Sequence, residues 1–196
     1  VTIECAHCHD HKYDPFSQKE YYQLYAFFNN IKEVGIESVV GGPETYAKKP
    51  LMEITDEDLQ GILHFVNKPD TNKLIVSVMG ELDSIRPTNV LIRGSYDAPG
   101  QEVNPATPES IMRFPPEYQK IRLGLARWLF DEKNPLTSRV FVNRMWQEIF
   151  GRGIVKTSGD FRMQGELPTH PQFLDWLAVD FRDHGWHTTR LVRQLV

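Results

Sequence analysis

Apolar side chains recur at helical spacing over the last third of the chain. Ile121, Leu125 and Leu129 lie four residues apart, and such a stripe marks one face of an amphipathic helix. The pattern predicts a helical subdomain from Gln119 to Val196, because amphipathic helices bury their stripes against one another. Its expected core includes Trp128, Trp146, Phe173 and Leu177.

Typical start and stop residues divide this subdomain into helices. Asn134, followed by a proline, is typical of a helix beginning, and Gly151 is typical of a helix end. Thr169 and Gly185 bound the next helix in the same way, and Thr188 should begin a fourth.

Another helix is predicted in the first part of the chain, from Gln18 to Asn30. Ser17 and Glu20 form a capping box in front of it. Aromatic or apolar residues occupy almost every side of this helix, which predicts that it is buried. It could be an ordinary core helix or the wall of a cofactor pocket.

The middle of the chain carries the strand patterns. Leu74 to Met79 and Asn89 to Arg93 predict two β-strands joined as a hairpin, after a short helix from Thr55 to Val66. Residues 94–118 contain five prolines and predict an extended connector. The expected fold is mainly α with a small β element (α+β), divided into residues 1–47, 48–118 and 119–196.

Charge and composition exclude some classes of function. The 196 residues carry a net charge of −4, so the chain lacks the basic footprint of a nucleic-acid-binding protein. No apolar run approaches the about 20 residues that a membrane span needs. Because the chain begins at Val1 and not at Met, we expect a fragment of a larger protein.

The chain has 2 cysteines, and both lie in the run Cys5-Ala6-His7-Cys8-His9, which has the spacing CxxCH. Two thiols at this spacing can each add to one vinyl group of a haem, and the histidine after the second thiol can bind the iron. On a helical turn these three groups share one face. The sequence predicts haem c, attached through Cys5 and Cys8 with His9 as the metal ligand.

Other interpretations of the motif stay open. A turn with two cysteines and a histidine could bind zinc, although such sites usually draw on a second, distant cysteine pair, which this sequence lacks. The motif could also be a dithiol pair or vacant. His7 and His11 are expected to be solvated loop residues. With haem bound, the second axial ligand must come from elsewhere in the fold. Candidates are Met52, His64, Met79, Met112 and the C-terminal histidines.

Few other residues suggest chemistry. Arg139, Asn143 and Arg144 lie near one face of a predicted helix, and a solvated face is the expected explanation. His184 and His187 flank a glycine that breaks the helix needed to align them as a metal pair. The chain contains no GxSxG elbow, P-loop or HExxH motif, so no catalytic residue is assigned.

Two stretches of the chain resemble a pair of planctomycete domains. CAHCHDHKYDPFSQKEYYQLYAFFNN, residues 5–30, resembles the end of a cytochrome-c-associated domain of unknown function, in which CxxCHxHKxDP precedes an aromatic helix. Residues 123–196, including LARWLFDEKNPLTSRVFVNRMWQEIFGRGIV, resemble the start of the accompanying planctomycete-specific C-terminal domain. RPTNVLIRGSYDAPG, residues 86–100, resembles the link between them. The resemblance implies a large exported bacterial protein.

Three hypotheses for function follow. The leading one is a c-type cytochrome-like protein, periplasmic or otherwise exported, that binds haem and transfers electrons to or from an unidentified partner protein. The alternative is a non-redox binding or assembly module whose CxxCH motif holds zinc or nothing. A third, an accessory role in polymer degradation, comes only from the context of the resemblance. Whether the protein is an enzyme stays open.

Overall fold

The computed structural model describes residues 2–32, 50–54, 74–159, 161 and 165–196. Within them the chain is mainly α-helical with a small β element, as the sequence predicts. The chain forms two compact units. Unit 1 combines Val1–Phe28 with Pro87–Val196, and unit 2 is Asn29–Arg86.

The described α-helices are α1 (Gln18–Asn29), α2 (Arg122–Phe130), α3 (Thr137–Phe150), α4 (Pro171–Asp183) and α5 (Thr188–Leu195). The described strands are β1 (Leu51–Ile54), β2 (Leu74–Ser77), β3 (Thr88–Leu91) and β4 (Pro99–Val103). Two short 3-10 helices cover Thr2–His7 and Ile92–Gly94.

The strands form two separate antiparallel sheets. In unit 2, β1 pairs with β2, with Leu51 opposite Ser77. In unit 1, β3 pairs with β4 across a register irregularity that follows Asn89. Both predicted strands are therefore present as β2 and β3, but they do not pair with one another. β4 lies in the stretch predicted as a connector, because its proline and glycine hide the strand pattern. The helix predicted from Thr55 to Val66 lies outside the described residues.

Helix α1 begins with the predicted capping box. The backbone N–H of Ser17 donates to Glu20 Oε2 at 2.8 Å, and the N–H of Glu20 donates to Ser17 Oγ at 3.2 Å. Phe27 is buried, but Phe28 is 51% exposed. The prediction that this helix is buried all round is therefore wrong, because only one side of it packs into the fold.

The ends of the C-terminal helices are set largely as predicted. Asn134 Oδ1 accepts the N–H groups of Leu136 and Thr137 at 3.0 and 3.3 Å, which caps the start of α3. Gly151 and Gly185 end α3 and α4 with φ of 77° and 70°, a conformation that glycine adopts without strain.

Thr169 does not cap α4. Its hydroxyl donates to the carbonyl of Ile154, and the helix begins two residues later at Pro171.

Two groups of buried side chains hold unit 1 together. The C-terminal core consists of Val142, Ile154, Val155, Leu174, Leu177, Phe181 and Leu191. The Trp128 core consists of Phe27, Leu125 and Trp128.

The predicted core was correct for Trp128 and Leu177, which are buried. Trp146 is only partly buried, and Phe173 is 38% exposed. Phe173 lies one residue before Leu174 on α4, so it falls at the edge of the buried stripe. There its ring packs on Trp146 at a centroid distance of 5.4 Å.

Candidate functional site

The CxxCH segment, Cys5 to His9, begins inside the first 3-10 helix and ends in the turn that follows it. In a 3-10 helix, residues three apart share a face. Ile3 and Ala6 share one such face, and Ala6 is fully buried. Cys5 and Cys8 are both exposed, and both thiols are free of a disulfide. The turn is thus tighter than the predicted α-helical one, but both thiols face solvent.

Helix α1 fixes the backbone between the two cysteines. The carbonyl of His7 accepts hydrogen bonds from Gln18 Nε2 at 2.9 Å and from the Tyr22 hydroxyl at 3.1 Å. The His7 ring packs against the rings of Tyr21 and Tyr22, with centroids 5.2 and 5.8 Å away. Burial raises the pKa of both tyrosines, so the Tyr22 hydroxyl stays protonated at neutral pH. His7 is partly buried, and its prediction as a solvated residue is wrong.

Gln18, the first residue of α1, connects three parts of the site. Besides the carbonyl of His7, its side-chain amide donates to the carbonyl of Leu91, at the end of β3, at 2.8 Å. Its own backbone N–H donates to Asp10 Oδ1 at 2.8 Å. The CxxCH segment is therefore tied both to α1 and to the sheet formed by β3 and β4.

His9 is exposed and has one ring nitrogen engaged. Its Nδ1 lies 2.7 Å from the carbonyl oxygen of Asp10. Because a carbonyl can only accept, Nδ1 carries the proton, and Nε2 carries the lone pair in the neutral ring. Histidines that bind metals commonly donate the other ring N–H to a carbonyl in this way. The site therefore fits a haem iron bound through His9 Nε2.

His11 has a structural role. Its Nδ1 accepts the backbone N–H of Asp14 at 2.9 Å and of Tyr13 at 3.3 Å, and its side chain is 9% exposed. The prediction that His11 is a solvated loop residue is wrong. Its ring satisfies the backbone of the loop that leads into α1.

A mostly apolar cavity of about 430 Å³ lies in unit 1. This volume is within the range of small-molecule and cofactor sites. Ile3 contributes to its wall, and Ile3 is two residues from Cys5, or at most about 7 Å along the backbone. From α1, Leu24 and Phe28 line this cavity, whereas Phe27 packs in the Trp128 core. The remaining side chains come mainly from α2, α3 and the loops around them.

The polar residues of α3 have distinct roles. Asn143 is fully buried, accepts the N–H of Val155 at 2.8 Å and donates to its carbonyl at 3.0 Å. The solvated-face prediction is therefore wrong for Asn143. Arg139 forms an ion pair with Asp175, whereas Arg144 is exposed, as expected.

The C-terminal histidines are engaged separately. His184 Nδ1 lies 2.8 Å from the carbonyl of Asp180, and His187 caps α5 by accepting the N–H of Arg190 at 3.3 Å.

Within the described ranges, no three His, Cys, Asp or Glu side chains converge closely enough to hold a metal ion. The described residues therefore contain no preformed set of ligands for the zinc that the alternative interpretation requires.

Sequence reasoning missed the residues that support the motif. Gln18 resembles any polar residue in the first turn of a helix. Gly94, which follows β3 and packs against Cys8, lies in the stretch predicted as a connector. The only available signal was the run RPTNVLIRGSYDAPG, which resembles part of a known domain pair.

Comparison with known proteins identifies two segments. Residues 121–196 match the family model PSD1, described as a protein of unknown function (DUF1553). Residues 1–33 match PSCyt2, also described as a protein of unknown function (DUF1549). No curated protein and no solved structure shows significant similarity to the chain. In the described parts of the chain, none of the helices has the length and apolar character of a membrane span.

Proposed function

We propose that this chain is the haem-binding part of an exported, c-type cytochrome-like protein that transfers electrons. The main support for this proposal is the CxxCH segment. Two free, exposed thiols precede His9, whose Nδ1 is hydrogen-bonded and whose Nε2 is left to bind a metal. We also propose that the two matched segments are the end of a CxxCH-bearing domain and the start of the planctomycete C-terminal domain.

Each group of the segment has one role in this proposal. The Cys5 and Cys8 thiols would hold the haem by adding across its two vinyl groups, sulfur bonding one carbon of each and hydrogen the other, with no net oxidation. His9 binds through Nε2, while the carbonyl of Asp10 holds its ring in orientation. Bound haem would supply a one-electron iron couple.

Location and partner follow from the chemistry proposed. Thioether attachment requires reduced thiols and takes place on the oxidising side of a membrane, so we propose an exported, periplasmic-type location. The proposed partner is a redox protein, because electron transfer needs a second redox centre. The net charge of −4 gives no basis for binding nucleic acid.

The test is expression of the exported chain together with haem-c maturation machinery. We expect haem to stay on the polypeptide after denaturation and acid precipitation, and the reduced pyridine complex to have a c-type spectrum. The double variant Cys5→Ala/Cys8→Ala should carry no covalent haem. His9→Ala should keep the covalent link but lose the native spectrum, because only the iron ligand is removed.

Other outcomes would support the alternatives. Matured protein with the mass of the bare polypeptide contradicts haem attachment. One equivalent of zinc, lost in the double cysteine variant, would instead support a zinc-binding module. A reversible one-electron wave in voltammetry of the loaded protein would support electron transfer, and its absence would leave haem binding without that role.

A further inference from the structure

The backbone of the turn between β3 and β4 lies in close contact with the CxxCH segment. Arg93 and Gly94 both have positive φ, 52° and 73°, which carries the chain sharply past Cys8. A Cβ atom on Gly94 would lie 2.7 Å from Cys8 Sγ and 2.9 Å from His7 Cε1. Both distances are shorter than real Cβ contacts, so the close approach depends on glycine at this position.

Of the two neighbours, Cys8 is the one able to move. His7 is held by two hydrogen bonds to its carbonyl, from Gln18 and Tyr22, and by ring contacts with α1. Cys8 is exposed, and its side chain turns about a single bond. Its Sγ has a weak hydrogen-bonding contact of 3.5 Å with His7 Nδ1. A side chain at Gly94 would therefore displace the sulfur of Cys8 more easily than the His7 ring, and Cys5 is not among its nearest neighbours.

We propose that Gly94 is a positioning residue that sets the direction of the Cys8 thiol for thioether formation. This inference rests on the proposed function. Attachment at both cysteines needs the two sulfurs at the separation of the two vinyl groups. At each, the sulfur–hydrogen bond adds across a carbon–carbon double bond, so no oxidant is required. With Cys8 displaced, addition proceeds at Cys5, and the second vinyl group stays unreacted.

The first experiment uses the chain without haem. The thiols are alkylated with iodoacetamide under native conditions, and peptide mapping gives the ratio of the rates at Cys8 and Cys5. Because thiol reactivity depends on access, we expect Gly94→Ala to change this ratio by about threefold or more. Gly151→Ala is the matched control: its φ is 77°, and nothing lies within 4 Å of the added Cβ. It should leave the ratio unchanged.

A second variant separates the steric effect from backbone strain. Asparagine tolerates positive φ better than alanine but carries the same Cβ, so Gly94→Asn should change the ratio even if Gly94→Ala folds poorly. An unchanged ratio in Gly94→Asn would overturn the inference.

The second experiment uses matured protein and distinguishes the inference from the proposed function. The wild type and Gly151→Ala should carry haem on both cysteines, whereas Gly94→Asn should carry it on Cys5 with Cys8 open to alkylation. Two links in Gly94→Asn would overturn the positioning role. A wild type without haem would refute the proposed function, and the alkylation ratio would then decide whether Gly94 positions Cys8.

Discussion

A single buried amide joins α3 to the loop that follows it. Asn143 is fully buried and satisfies both backbone groups of Val155. Asn143→Ala leaves a buried N–H and a buried carbonyl without partners, and we expect a loss of about 2–4 kcal/mol in the free energy of unfolding. Urea denaturation measures this change in the free energy of unfolding. The exposed Glu148 on the same helix is the control, and Glu148→Ala should stay within about 0.5 kcal/mol.

Two tryptophans allow a matched comparison of burial. Trp128 is 4% exposed, and its Nε1 donates to the carbonyl of Met112 at 2.9 Å, whereas Trp176 is 54% exposed. Trp128→Ala should cost about 3–5 kcal/mol of unfolding free energy, and Trp176→Ala much less. Trp146 is partly buried, so its truncation should fall between them. Equal losses at Trp128 and Trp176 would contradict the assigned core.

Among the elements, α4 and α5 are joined by an ion pair. Asp180 accepts two hydrogen bonds from the Arg190 guanidinium, and this bonding lowers the pKa of the carboxyl, with His184 adding a smaller effect. A lowered pKa in the folded state means that the pair stabilises the fold fully above the unfolded value of 3.8. That stabilisation is lost as the pH falls through the pKa that Asp180 has in the folded state.

Thermal unfolding measured between pH 2 and pH 7 checks this pair. We expect the melting temperature of the wild type to fall below about pH 4 more steeply than that of Asp180→Asn, which lacks the titrating carboxylate. Glu148→Gln is the control, since Glu148 is an exposed carboxylate on α3. Parallel pH profiles for the wild type and Asp180→Asn would show that the pair contributes nothing.

Residues close together in the sequence predicted where helices and strands lie better than they predicted which strands pair. The capping box of Ser17 and Glu20 and the glycines at 151 and 185 depend on neighbouring residues alone, so their effects could be inferred from the sequence. Strand pairing depends on residues far apart, and for this reason β3 was found but its partner β4 was not. Asn143 was misjudged for the same reason, because its partner Val155 lies beyond the helix.

For the molecule as a whole, the CxxCH motif could be predicted from the sequence, but the residues that hold it in place could not. Cys5, Cys8 and His9 are recognised by their spacing. Gly94 lies against Cys8, and Gln18 joins the His7 carbonyl to Leu91, only in the tertiary fold. The histidines beside the motif illustrate the difference. His7 and His11 have ordinary positions in the sequence. His7 acquires a structural role when α1 packs against it, and His11 when the loop before α1 folds around its ring.

Matured protein should bind carbon monoxide readily. If His9 held a haem iron, His7 and His11 would lie two residues away on the same side of the group, so neither could also bind the iron. We therefore expect an open or weakly held iron position, measured as a shifted Soret band after reduction under carbon monoxide. A low-spin, six-coordinate spectrum abolished by Met112→Ala would instead reveal an internal ligand, with Met145→Ala as the control.

The link from Gln18 to Leu91 spans 73 residues of sequence. At synthesis rates of 5–20 residues per second, roughly 4–15 s separate the emergence of these two residues. Non-local contacts also form late in folding, because the intervening chain must close first. A newly made chain thus carries the CxxCH motif well before it has the surroundings that orient it. Modification during this interval would act on a motif that Gly94 does not yet orient, so positioning by Gly94 requires that attachment follow folding.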